Sequence, residues 1–172
     1  MKALWIALIT STMFVSMGLQ AADVKVTWEE PNKYRDIQAS DMHQGRFQEQ
    51  LFAAFEDKFA ALAAELPDDQ TLSITVTDVV LAGLIEMRDL QGQPRQMRVI
   101  RPGYYPEMKL SYSLVDAEGN EIQSGEEHIR GRELPGQGRL ESQQRRRGVE
   151  LIEYEAAMLD RWFKNTFKSN GE

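Results

Sequence analysis

The chain has 172 residues, of which 42% are hydrophobic and 27% charged, the proportions of one globular domain and too apolar for a disordered tail. Its 27 acidic against 20 basic side chains leave a formal charge of −7, which argues against nucleic acid as the main partner, because neutralising phosphates needs a clustered excess of Lys and Arg. With no cysteine, disulfides, zinc–thiolate centres, iron–sulfur clusters and thiol nucleophiles are excluded.

Met1 and Lys2 open the chain, and Ala3 to Val15 follow as an apolar run broken only by Thr10, Ser11 and Thr12. A spanning helix needs about 20 apolar residues, so this shorter run reads as the core of a secretory signal, with Ser16, Gly18, Ala21 and Ala22 as its small-residue exit. Residues 1–21 are therefore expected to be a removed leader, cleaved after Ala21 or Ala22. The mature chain would carry no transmembrane segment and reside in the periplasm. Residues 22–168 form one domain in this reading, and residues 169–172 a frayed tail.

Val24, Val26 and Trp28 alternate with polar residues until Pro31, the period of a half-buried strand. From Asp41 the period lengthens. Phe47, Leu51, Phe55, Phe59, Leu62 and Leu66 recur every three or four residues, predicting an amphipathic helix of about 25 residues that opens on an Asp41–Gln44 capping box and stops at Pro67. Leu72, Ile74 and Val76 mark a second strand, whose phase slips at Asp78; a β-bulge there, with Gly83 nearby, would repair it. Residues 84–88 continue the strand, residues 89–94 turn, and residues 97–101 return. Met108, Leu110, Tyr112 and Leu114 alternate in a further strand, and residues 116–120 loop into another over residues 121–129. Residues 130–148 read as a basic loop, and Val149, Ile152, Ala156, Leu159 and Phe163, widened by Leu151, Met158 and Trp162, as the stripe of a last helix. The order strand, helix, meander, helix predicts a single α+β domain: an antiparallel sheet of four or five strands with two long amphipathic helices packed on one face.

Several local patterns also carry a resemblance. Trp28-Glu29-Glu30-Pro31 with Tyr34-Arg35-Asp36-Ile37, Thr77-Asp78 with Leu81-Ala82-Gly83, Arg98-Val99-Ile100, Tyr105-Pro106, and Tyr154-Glu155 with Leu159-Asp160-Arg161-Trp162-Phe163 stand in an order and spacing that resemble the proteobacterial domain of unknown function family 3016. The resemblance spans nearly the whole mature chain and implies a secreted or periplasmic single domain, with no activity, cofactor or catalytic residue to carry over. After Glu126-Glu127 the chain departs from that pattern, with Arg130-Gly131-Arg132-Glu133 in place of an Asp-containing segment.

His43 and His128 are the only histidines, far apart in sequence, so a metal site or a base-activated nucleophile has few imidazoles to use. His128 shares a strand face with Glu126, a pair able to ligate a metal but commoner as a solvated face. Asp78, in phase with apolar neighbours, must be paired or re-aimed; Arg98 or Arg101 is the expected partner, and a structural ion pair is the commoner outcome than catalysis. Asp78 with Glu86 or His128 would be the acid–base set of a small hydrolase. Tyr104 and Tyr105 between two prolines could offer an aromatic platform, and Arg145, Arg146 and Arg147, with Arg130, Arg132 and Arg139, a basic patch for an anionic envelope component. No nucleotide loop, zinc-protease motif or nucleophile elbow is present, and neither metal nor cofactor is expected. The leading expectation is a non-catalytic periplasmic binding or envelope-assembly accessory domain; the alternative is the hydrolase.

Overall fold

The structure is a computed structural model that describes residues 22–40, 42–132 and 151–168. The leader, Asp41, Arg139, Arg145, Arg146, Arg147, Val149 and the tail lie outside the described residues. The expected Asp41–Gln44 capping box is corrected: the first helix begins at Gln44 with His43 as its N-cap, and the Gln44 side chain instead accepts from the Ala39 N–H and donates to the Ile37 carbonyl. The elements run β1 (Asp23–Trp28), a 3-10 turn (Pro31–Lys33), α1 (Gln44–Ala63), β2 (Thr71–Val80), β3 (Leu84–Leu90), β4 (Gln93–Val99), β5 (Glu107–Val115), β6 (Glu121–Arg130), α2 (Glu153–Phe163) and a π-helical turn (Lys164–Lys168).

The fold is α+β, with one correction to the expected sheet. Its four strands lie in the order β1-β2-β5-β6, and β1 pairs with β2 in parallel, Val24 opposite Leu72 and Trp28 opposite Val76; the other pairings are antiparallel. The sheet is mixed because α1 carries the chain back from the end of β1 to the start of β2, the connection that parallel neighbours require. Strands β3 and β4 pair only with each other, as a separate two-stranded hairpin. The expected pair of long helices is matched in part: α1 has 20 residues, whereas α2 has 11 and continues as a five-residue π turn.

The core forms where the two helical stripes meet the inner face of the sheet. Leu51, Phe55, Phe59 and Leu62 of α1 and Met158, Leu159, Trp162 and Phe163 of α2 are buried with Leu72, Ile74, Val76, Met108, Leu110 and Tyr112. Trp28 stacks on Phe52 at 4.4 Å between ring centroids, and its indole N–H donates to Glu56 at 2.8 Å. Trp162 meets Phe59 and Tyr112 edge to face, which joins α2 to both the first helix and the sheet.

The phase slip in β2 is a bulge, as the alternation demanded. Val76 pairs with Leu110 and Asp78 with Lys109, so Thr77 is the extra residue. Beyond it Val79 takes the inner position and Asp78 turns to the outer face. Gly83 sits five residues beyond Asp78, at the corner between β2 and β3, with φ +78° and its N–H donating to the Tyr104 carbonyl at 2.9 Å. A Cβ there would stand 2.4 Å from the Val99 carbonyl oxygen, so that corner admits only glycine.

Candidate functional site

Strand register builds the outer face of the sheet. Thr27, Thr75, Ser111 and Glu126 stand opposite one another in one cross-strand row, and Lys25, Ser73, Ser113 and Ser124 in the next. These positions alternate with the buried apolar ones, so hydroxyls and charges line the whole face. No described element covers it. A groove of about 470 Å³ opens there, lined by Thr77, Lys109, Ser111, Glu126 and His128.

An ion-pair lattice closes one end of this face. After the 3-10 turn the chain rejoins β2 through an Asp36–Val80 bridge, which presents Arg35 to the re-aimed Asp78. The Arg35 backbone N–H donates to Asp78 Oδ1 at 3.0 Å, its Nε to Oδ2, and its Nη2 to Glu107 Oε2 at 3.1 Å. Glu107 also meets Arg130 Nε and His128 Nε2, each at 3.1 Å. Burial pushes the Asp78 and Glu107 carboxyls up, but hydrogen bonds from Arg35, and from His128 to Glu107, outweigh it and hold both below the usual carboxylate range. Tyr34 beside them donates its hydroxyl to the Val76 carbonyl at 2.7 Å; burial and the Asp78 charge push it up to about 12.

A second node lies where β2 gives way to the hairpin. Arg98 on β4 grips Asp36 with two hydrogen bonds of 2.9 Å and also donates to the carbonyls of Ala82 and Gln38. The Ala82 N–H donates to Glu155 Oε1 at 2.8 Å. Glu155, in the first turn of α2, is 3% exposed, and burial pushes its carboxyl up to about 7 against the pull of that N–H. Ala82 thus ties the last helix through its N–H and the hairpin's Arg98 through its carbonyl, and Arg98 in turn holds the first segment at Asp36.

The candidates from sequence converge only in part: Asp78 and His128 share a cross-strand row through Lys109 and the lattice through Arg35 and Glu107, while Glu86 stands on the separate hairpin. Asp78 pairs with Arg35, not with Arg98 or Arg101 as expected, because the bulge turns it toward the segment after β1 and Arg98 is taken by Asp36. Glu86 projects from the hairpin between Arg88 and Arg101, each at 2.8 Å. His128 alone of the three lines the groove. His43 accepts from the Gly45 N–H at the start of α1, a capping role. Tyr104 is exposed, Tyr105 half-buried, and neither ring meets another aromatic among the described residues. Among the described residues no group of three or more His, Asp or Glu could hold a metal ion, and no helix is long and apolar enough to cross a membrane.

Sequence reasoning passed over Arg35, Asp36, Glu107 and Glu155. Only Glu155 left a direct signal there, a carboxylate three residues after Ile152 and four before Leu159 on the apolar stripe of the last helix. No curated protein and no solved structure matches the chain. The family model described as a protein of unknown function (DUF3016) matches residues 22–165, the whole span that carries the lattice, the groove and the second node. The chain belongs to domain of unknown function family 3016.

Proposed function

We propose that the protein is a non-catalytic binding domain of the periplasm, an accessory of envelope assembly that presents the outer face of its sheet to an envelope component. The observation that carries this reading is the engagement of its acid–base side chains: Asp78 is nearly buried and spent on Arg35, Glu107 ties His128 into the same lattice, and Glu86 stands apart on the hairpin between Arg88 of its own strand and Arg101. Acid–base catalysis needs those groups within reach of one substrate. Rows of hydroxyls on a rigid, uncovered sheet suit recognition instead, since each carries donor and acceptor at low ordering cost. The leader-like first segment supports the periplasmic setting.

In-cell crosslinking of the tagged protein in the periplasm, read by mass spectrometry, tests the proposal. A reproducible envelope partner, weakened when Ser111→Arg and Thr75→Arg crowd the face, is the expected result. Turnover of a glycan or ester that disappears in His128→Ala or Asp78→Asn would overturn it in favour of the hydrolase.

A further inference from the structure

We propose that the pocket where β6 meets α2 is a binding site for a phosphate-class oxyanion. The pocket encloses about 260 Å³, small beside a cleft for a drug-sized ligand and suited to a phosphoryl group with the atoms that bear it. Three guanidinium side chains line it: Arg130 at the end of β6, Arg132 in the segment just after it, and Arg161 on α2. Asn165 and Thr166 of the π turn add an amide and a hydroxyl, and Glu127 is the acidic residue on its wall.

The charge of Arg130 and Arg132 is not fully consumed among the described residues. Arg130 commits its Nε to Glu107, and its side chain remains 61% exposed. Glu107 is itself shared with Arg35 and His128, so it cannot neutralise Arg130 alone. Arg132 is exposed and makes no ion pair among the described residues. On a chain of net charge −7, such a cluster is a local reversal of sign, gathered where the end of β6 meets α2. Guanidinium forks bind oxyanions through paired charge-assisted hydrogen bonds. The forks of Arg130 and Arg132 with the Thr166 hydroxyl offer more donors than the two oxygens of a carboxylate take up, which favours a tetrahedral phosphate. Beside them the buried Trp162 ring lines the same pocket, and among the described residues its indole N–H has no hydrogen-bond partner.

The site extends the binding reading, since Glu127 and His128 border both this pocket and the sheet-face groove. A phosphate seated here would stand beside whatever occupies the hydroxyl rows.

The test is a titration of the ¹⁵N-labelled chain with sodium phosphate against sodium chloride at matched ionic strength. Saturable shifts in the millimolar range are expected at the Arg132 amide and the Trp162 indole N–H, while the Trp28 indole, bonded to Glu56, stays in place. Arg132→Gln and Arg130→Gln should each weaken binding about five- to tenfold without changing the rest of the spectrum. Vesicles of phosphatidylcholine with and without phosphatidic acid separate the sources: Arg132-dependent pelleting marks a lipid headgroup, and free-phosphate binding without pelleting a soluble phosphate. Shifts no larger than those with chloride, or Arg→Gln variants that titrate like wild type, would overturn the site. The two readings fail separately, because a crosslinked partner with no phosphate response removes this site alone, whereas glycan or ester turnover with an intact phosphate response removes only the binding reading.

Discussion

The domain holds two β assemblies of unlike standing. In the central strands β2 and β5 of the four-stranded sheet the inner residues are sealed beneath α1 and α2, as Leu72, Ile74, Val76, Met108 and Leu110 show. The β3–β4 hairpin has strands of seven residues each and full antiparallel pairing, yet Met87 is 61%, Leu90 44% and Met97 40% exposed. Met87 and Met97 lie on opposite faces of the hairpin, so neither face has a layer behind it. A lone hairpin is marginal in water. This one is secured at its base, by Arg98 on Asp36 and by the glycine corner at Gly83. The difference teaches that strand pairing here follows local register, whereas stability follows the backing layer and a few buried polar ties.

The largest effect should come from the backed sheet. Phe59→Ala removes a fully buried ring that meets Trp162 edge to face, and should cost about 3–5 kcal/mol in urea unfolding. A change below about 1 kcal/mol would show that the helix layer is not what holds the sheet.

Next comes the tie at Glu155. Its folded carboxyl titrates near 7 against 4.5 for an ordinary one, so both states hold the proton in acid. As pH rises from 4.5 toward 7 the unfolded chain ionises first, and stability falls before levelling above 7. Glu155→Gln keeps an oxygen for the Ala82 N–H and cannot ionise; it should match wild type at pH 4.5 and exceed it by up to about 3 kcal/mol at pH 8. Equal urea midpoints at both pH values would remove the burial argument.

Asp78→Ala tests the lattice at the end of the sheet. Asp78 is 8% exposed but the side chain of its partner Arg35 is 51% exposed, so the loss is discounted to about 1–2 kcal/mol. Its folded carboxyl is held below the usual range; its contribution is therefore present above the unfolded carboxylate range and lost as pH falls through the folded value. The variant should lack that part of the acid-side decline in thermal melts, and Glu86→Ala on the hairpin should change little. The smallest effect should be Met87→Ala, within about 0.5 kcal/mol of wild type; a larger loss would reveal an apolar cover over the hairpin.

Local period made much of the sheet and α1 readable. Leu72, Ile74 and Val76, and then Met108 to Leu114, announced their buried faces, and the break at Asp78 announced the bulge. The parallel pairing of β1 was also encoded, in the strand–helix–strand order, but the meander that follows suggested an all-antiparallel sheet. What sequence hid were the ties of long range. Arg35 lies in an irregular stretch after Pro31, 43 residues from Asp78, and no periodicity links them. Arg98 and Arg101 were equal candidates on paper. In space Arg98 on β4 meets Asp36 and Arg101, just beyond the strand, meets Glu86, because each takes the carboxylate that its place in the chain brings near.

The tip of the hairpin has a practical use. Gln91 and Gly92 both have positive φ, 57° and 80°, the geometry of a two-residue turn matched to twisted strands. Among the described residues nothing lies within 4 Å of a Cβ built on Gly92. A fluorophore or affinity handle spliced between these two residues would project into solvent at the far end of the hairpin from the corner at Gly83, leaving the hydroxyl rows and the arginine pocket unlabelled and free to bind.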